Sequence, residues 1–153
     1  MQLAIGNDHA GLDLKKEIMS LLEDRGHSFT DYGTFTTESC DYPDFATKVC
    51  QSVQSRNADL GILICGTGIG MSIAANKHIG IRASLVQDIF SAQATRQHNN
   101  SNILCLGARV LDTKIALDIV TTWIDTPFEG GRHQRRLDKI AQVEHLYNKH
   151  SLP

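Results

Sequence analysis

Long apolar runs are missing from this 153-residue chain, and no stretch approaches the length of a membrane span. The N-terminal Met1-Gln2-Leu3-Ala4-Ile5-Gly6 is too short for the apolar core of a signal peptide, so a cytoplasmic location is expected. Charge of one sign is lacking too: the formal net charge of -2 gives no electrostatic reason for nucleic acid or a membrane surface as partner. The four cysteines, Cys40, Cys50, Cys65 and Cys105, form no CxxC pair and no scaffold-like spacing, which argues against a disulfide framework and for reduced thiols. Seven histidines lie scattered without an HxxxH pair, so no metal site is expected. Repeats, low-complexity tracts and long linkers are absent as well. What remains is a chain with 41% hydrophobic residues, enough for one globular domain spanning 1–153.

Apolar segments alternate with amphipathic ones. Leu3 to Gly6 is expected as a first strand, and Leu12, Leu14, Ile18, Met19, Leu21 and Leu22 recur at helical spacing until Gly26. Residues 28–33 suit a short second strand, and Pro43 suits the opening of a helix through Val53. The run Leu60-Gly61-Ile62-Leu63-Ile64-Cys65 is a strand buried on both faces, followed by a helix over about Ile69 to Lys77. A fourth strand is expected over Gly80 to Val86, a helix capped by Asp88, a fifth strand at Ile103 to Leu106, and helices over Thr113 to Ile124 and about 132–150. Strands alternating with helices imply βαβ units. The expected fold is α/β: a single doubly wound, Rossmann-like α/β/α sandwich around a five-stranded parallel sheet.

The most informative segment is Cys65-Gly66-Thr67-Gly68-Ile69-Gly70, at the end of that buried strand. Its alternating glycines let backbone N–H groups approach a ligand, and a helix N-terminus after them favours negative charge. A cysteine there sits where a thiolate would be stabilised. The loop is not a Walker A sequence, since no Lys-Ser/Thr pair follows the glycines, nor the dinucleotide fingerprint, since Met71 takes the last glycine place. Asp88, about twenty residues on, matches a ribose-binding acid only by weak coincidence. A cysteine phosphatase would need an arginine closing the loop, where Gly70, Met71 and Ser72 stand.

Other polar clusters follow strands or helices: Asp8-His9-Ala10-Gly11, Gly107-Ala108-Arg109, Arg96-Gln97-His98-Asn99-Asn100 and Gly130-Gly131-Arg132-His133-Gln134-Arg135-Arg136. Ligands of open parallel sheets lie beyond the carboxyl ends of the strands, and all these clusters are expected on that one side. Each has a plainer reading. Asp8 suits a helix cap, His9 a surface residue, and Cys65 alone a small buried hydrophobe. His98-Asn99-Asn100 suits an ordinary helix end. Arg132 and Arg136 are i, i+4 neighbours that can address one ligand, although clustered charge is usually a solvated face.

Taken together the motifs resemble a known family. Asp8-His9-Ala10-Gly11 with Leu14-Lys15, Asp41-Tyr42-Pro43, the Cys65 loop, Ala74-Ala75-Asn76-Lys77, Gly80-Ile81-Arg82-Ala83, Arg96-Gln97-His98-Asn99 and Gly130-Gly131-Arg132-His133 occur in the order of the RpiB/LacA/LacB sugar-phosphate isomerases, across almost the whole chain. Some members of that family carry glutamate in place of the cysteine; Cys65 places this chain with the cysteine branch. The resemblance implies aldose–ketose isomerisation of ribose 5-phosphate and ribulose 5-phosphate through an enediolate, with no cofactor and no metal. It implies Cys65 as base, Thr67 as a proton carrier between the substrate oxygens, and His98 as the acid that opens the sugar ring. Gly66, Thr67, Gly68, Ile69 and Gly70 would supply the anion cradle, while Asp8 and Asn99 would hold hydroxyls. His9, Arg109, Arg132 and Arg136 would hold phosphate. A homodimer or dimer of dimers is implied, with the site at the subunit interface and His98 serving the neighbour's Cys65. Two alternatives differ in substrate or class: an isomerase of a six-carbon phosphate such as allose 6-phosphate or galactose 6-phosphate, and a non-catalytic phosphate-binding module.

Overall fold

Strands and helices alternate along the computed structural model, which describes residues 1–148. Strand β1 (Gln2–Asn7) leads through a 3-10 turn (His9–Gly11) into α1 (Leu12–Asp24), then β2 (Ser28–Asp31) and α2 (Tyr42–Gln54). Next come β3 (Leu60–Cys65), α3 (Ile69–Ala75), β4 (Ala83–Leu85) and α4 (Ile89–Asn99). Strand β5 (Ile103–Gly107), α5 (Thr113–Asp125) and α6 (Arg132–Asn148) complete the order. The five strands are all parallel, in the order β2-β1-β3-β5-β4, as the expected doubly wound sheet requires. The last residues of the helix expected over 132–150, and of the domain expected over 1–153, lie outside the described residues. No helix among the described residues is long and apolar enough to cross a membrane.

The two-residue strand period divides the core. Ile62 and Ile64 face one side of the sheet with Leu3, Ile5, Leu104 and Leu106, packed against α1, α4 and α5 through Ile18, Ala92 and Trp123. Leu63 and Cys65 face the other side with Ala4 and Cys105, against α2 and α3 through Val49, Met71 and Ala75. Helix caps match the sequence: Gly26 stops α1 at φ 70°, Asp88 accepts the Ser91 N–H at 2.7 Å, and Asn100 takes the left-handed position after α4 at φ 44°.

Three boundaries differ from expectation by two residues or more, the first being β2, which stops at Asp31 rather than at residue 33. Strand β4 is only three residues long, because side chains replace the ladder ahead of it. The Asn76 carboxamide bridges the Ala83 N–H and C=O at 2.9 and 2.8 Å, and Asn102 Oδ1 accepts the Arg82 N–H at 2.8 Å. Helix α3 ends at Ala75 rather than Lys77, tightening into i→i+3 bonds from Lys77 N–H to Ala74 and from His78 N–H to Ala75.

Candidate active site

The connections reverse direction between β1 and β3, which makes the carboxyl ends of these strands the crevice of the sheet. The two ends touch: the Asp8 N–H donates to Ile64 C=O at 3.1 Å, and a Cβ on Gly11 would come within 2.8 Å of that same oxygen. Gly11 is therefore a close-approach glycine that seats the start of α1 on β3. Asp8 does cap the 3-10 turn, accepting the Ala10 N–H at 2.9 Å, as its plainer reading requires. Its side chain is buried beside the crevice nonetheless.

Cys65 ends β3 as a buried residue, 5% exposed, and the Gly68 N–H donates to Sγ at 3.1 Å. That contact depends on glycine: Gly68 has φ 76°, and a Cβ there would lie 2.5 Å from Leu85 Cδ1 and 2.9 Å from the Leu106 carbonyl carbon. The Ile69 N–H donates to Thr67 Oγ1 at 3.3 Å, which leaves the exposed Thr67 hydroxyl at the mouth of the loop. Strand β5 closes the far side. Ala108 and Arg109 N–H groups donate to Cys65 and Gly66 carbonyls, both at 2.9 Å, and the Arg109 guanidinium lies 3.3 Å from where a Gly66 Cβ would be. A thiol-bearing loop, backbone donors and an arginine thus converge on one spot.

Two neighbours of this site were not singled out individually from sequence. The Tyr42 ring packs on Gly70, whose Cβ would approach it to 2.7 Å; only the wider Asp41-Tyr42-Pro43 match hinted at this. Cys40 gives its N–H to His9 Nδ1 at 3.4 Å, with its sulfur 3.9 Å away, so the segment after β2 lies over His9. Lys15 anchors that segment. Its Nζ, fully buried, donates to Thr34 C=O at 2.8 Å, sits 4.3 Å from the Phe35 ring centroid and is 2.8 Å from Asp31 Oδ2. Asp31 Oδ2 receives no well-directed hydrogen bond, so the last contact is a charge pair rather than an oriented bond.

The remaining cluster residues lie elsewhere, which corrects the expectation that every cluster shares one side of the sheet. Helix α4 starts after the carboxyl end of β4 and runs back, so His98 and Asn99 stand at the amino ends of the strands. There the Arg82 Nε–H reaches the carbonyls of Asn99 and Asn100 at 3.1 and 3.0 Å, just before β4. Helix α5 makes the same return, so Arg132, His133 and Arg136 on α6 join His98: Glu129 N–H bonds Gln97 C=O at 3.1 Å, and the His98 and His133 rings stack at 4.4 Å. Four register steps, Gly61 to Cys65 beside Ile103 to Gly107, separate this end from the thiol. At a strand rise of about 3.3 Å that is at least ~13 Å, far beyond proton-transfer reach within one chain.

The second cluster has its own electrostatics. His133 is 4% exposed, its Nδ1 has no hydrogen-bond partner, and its pKa is pushed below the usual 6.5 by burial, His98 and Arg132. On the ring's other side His133 Nε2 lies 3.4 Å from Glu129 Oε2, and Arg132 and Arg136 are exposed nearby. His98, Glu129 and His133 also offer three ligand atoms within 4.8 Å of one another, which sequence spacing concealed. The two imidazole planes are within 13° of parallel, so their in-plane lone pairs do not converge, and Arg132 and Arg136 oppose a cation there.

Sequence and structure comparisons agree with the geometry. The family model for Ribose/Galactose Isomerase matches residues 3–140. Ribose-5-phosphate isomerase B of Escherichia coli is 46% identical over 147 residues, covering 96% of this chain and 99% of that protein. The solved ribose-5-phosphate isomerase B of Clostridium thermocellum superposes with a TM-score of 0.95 at 50% identity, covering 96% of this chain and 99% of the other. The Mycoplasma genitalium ribose-5-phosphate isomerase B with bound ribulose-5-phosphate superposes at a TM-score of 0.90 and 44% identity, over 94% and 96% of the two chains. On this evidence the chain belongs to the ribose/galactose isomerase family and is an isomerase.

Proposed function

We propose that the chain interconverts ribose 5-phosphate and ribulose 5-phosphate, with Cys65 as the base. The observation that carries this reading is the Cys65 sulfur held 3.1 Å from the Gly68 N–H in the crevice of the sheet, with Arg109 across the same loop. Moving the carbonyl from C1 to C2 requires removal of the C2 proton, stabilisation of the enediolate and return of a proton to C1. A thiolate accepting a backbone N–H is suited to the first task. Backbone N–H groups of residues 66–70 suit the second, since they are fixed before charge develops. Thr67 shuttles the proton between O1 and O2.

His98 protonates the ring oxygen as the sugar opens, and Asn99 and Asp8 hold hydroxyls. His9, Arg109, Arg132 and Arg136 bind the phosphate, for which guanidinium forks are well matched. Because His98, Asn99, Arg132 and Arg136 lie at the opposite end of the sheet from Cys65, we propose that a second copy of the chain supplies them. A site built from two copies suits the large apolar side chains left exposed on α3 and α6, among them Ile73, Ile140, Val143 and Tyr147. The close relatives that carry the name ribose-5-phosphate isomerase B favour the five-carbon substrate over a six-carbon one.

The test is ribulose 5-phosphate formation from ribose 5-phosphate in EDTA, wild type beside Cys65→Ala. Turnover that EDTA spares and the substitution lowers by about 10³-fold is expected. Wild-type turnover of six-carbon phosphates alone, or a fully active Cys65→Ala, would overturn the proposal.

A further inference from the structure

The end of α4 is held far more elaborately than a helix end requires. The last carbonyls of a helix lack intrahelical partners. Here the Asn100 N–H serves Arg96 C=O at 3.2 Å, the Ser101 N–H serves Thr95 C=O at 3.2 Å, and the Glu129 N–H serves Gln97 C=O at 3.1 Å. Two arginines are then added. Arg82 reaches across from the approach to β4, its single Nε–H shared between Asn99 and Asn100 carbonyls. Arg96, one turn before Asn100 on α4, donates from one terminal nitrogen to Asn100 Oδ1 at 3.1 Å and to the Ser101 carbonyl. Behind them Trp123 supports the turn, its Nε1–H on Ser101 Oγ at 2.8 Å and its ring 5.7 Å from the Arg96 guanidinium carbon.

This arrangement is costly. Both guanidiniums are partly buried, neither has a carboxylate within 4.0 Å among the described residues, and each has its pKa lowered first by burial. Arg82 also presses on Arg96 as a like charge, while Glu144 of α6, whose Oε1 holds the Gly80 N–H at 2.8 Å, favours the charge on Arg82 itself. Asn100 meanwhile sits at φ 44°, a conformation a glycine would adopt more easily. His98 immediately precedes this turn, and Asn99 opens it.

We propose that Arg82 and Arg96 are positioning residues, which fix the Asn99–Ser101 turn so that the His98 ring meets the sugar at the angle ring opening needs. The inference rests on the reading of His98 as the ring-opening acid. Arginine suits the task because its rigid guanidinium fixes the direction of the donating N–H, whereas a lysine ammonium is a rotatable point charge. The mechanistic consequence is that the arginines act through His98 and Asn99 and through nothing else.

The experiment is a double-mutant cycle on ribose 5-phosphate turnover. Arg82→Lys and Arg96→Lys are each made alone and in a background carrying His98→Gln with Asn99→Ala, where spontaneous ring opening keeps turnover measurable. Thermal midpoint and oligomeric size accompany every variant. Each single arginine variant is expected to lose about 10- to 100-fold in kcat, the usual cost of displacing a catalytic group by an ångström. In the background the same substitutions should cost no further than about twofold, because the group they position is gone. Losses that multiply in both backgrounds would overturn the inference while leaving His98 as the acid. A background as active as wild type would overturn the reading of His98, and the inference with it. Should Arg82→Lys fail to fold, the Arg96→Lys cycle decides alone.

Discussion

Mixing two impaired variants should restore activity. Cys65→Ala removes the base at one end of the sheet, and His98→Gln removes the acid at the other. At least ~13 Å of strand separates the two ends within one chain, so no single chain assembles both groups. In a dimer with shared sites, a hybrid of the two variants carries both lesions in one site and neither in the other. Equal mixing with full exchange makes half the dimers hybrid, each with one intact site of two, so roughly a quarter of wild-type activity should return. The assay unfolds both variants in denaturant, refolds them together and separately, and compares ribulose 5-phosphate formation. Refolded alone, Cys65→Ala should stay near background and His98→Gln should keep only the low residual turnover that spontaneous ring opening allows. If the mixture gains nothing although hybrids are detected by mass, the shared site is refuted. A site formed within one chain would give that result.

The other expectations are local. Gly68→Ala should destabilise the fold by about 2–4 kcal/mol, adding left-handed strain to overlap with Leu85 and Leu106, and should abolish turnover; urea unfolding measures the first. Alkylation at pH 8 should label the half-exposed Cys40 and spare Cys50 and Cys105, since burial raises the Cys50 pKa to about 12 and that of Cys105 well above its ordinary value. Peptide mass spectrometry would show it, and early labelling of Cys105 would contradict the buried position. Lys15→Met should cost about 3 kcal/mol by leaving Asp31 without its buried cation, and should raise KM through the segment over His9. Unchanged stability would show that the pair is dispensable.

Much of this protein was determined by sequence alone. The alternation of apolar runs with amphipathic ones already required parallel strands covered on both faces, because period-2 and period-3.6 patterns cannot be exchanged without exposing the core. The glycine loop after Cys65 announced backbone that a side chain would obstruct, and Gly68 takes a left-handed φ of 76° against Leu85 and Leu106. Asp88, Gly26 and Asn100 declared their caps, since capping chemistry is local.

The expected βαβ units already imply that a helix following a strand returns to the amino edge, a consequence that the run of polar clusters obscured. The strand order places β5 between β3 and β4, and the helices after β4 and β5 carry His98, Arg132 and His133 to the amino edge of the sheet. Nothing local in Arg96-Gln97-His98-Asn99 records which edge that is, and it looked like a companion of Cys65. Tyr42 on Gly70, Cys40 on His9 and the Arg82–Arg96 pair around Asn100 were invisible in the sequence, because each joins residues distant in sequence that meet only once the strands are in register. Local chemistry determined the candidate clusters. Long-range packing decided which of them meet within one chain.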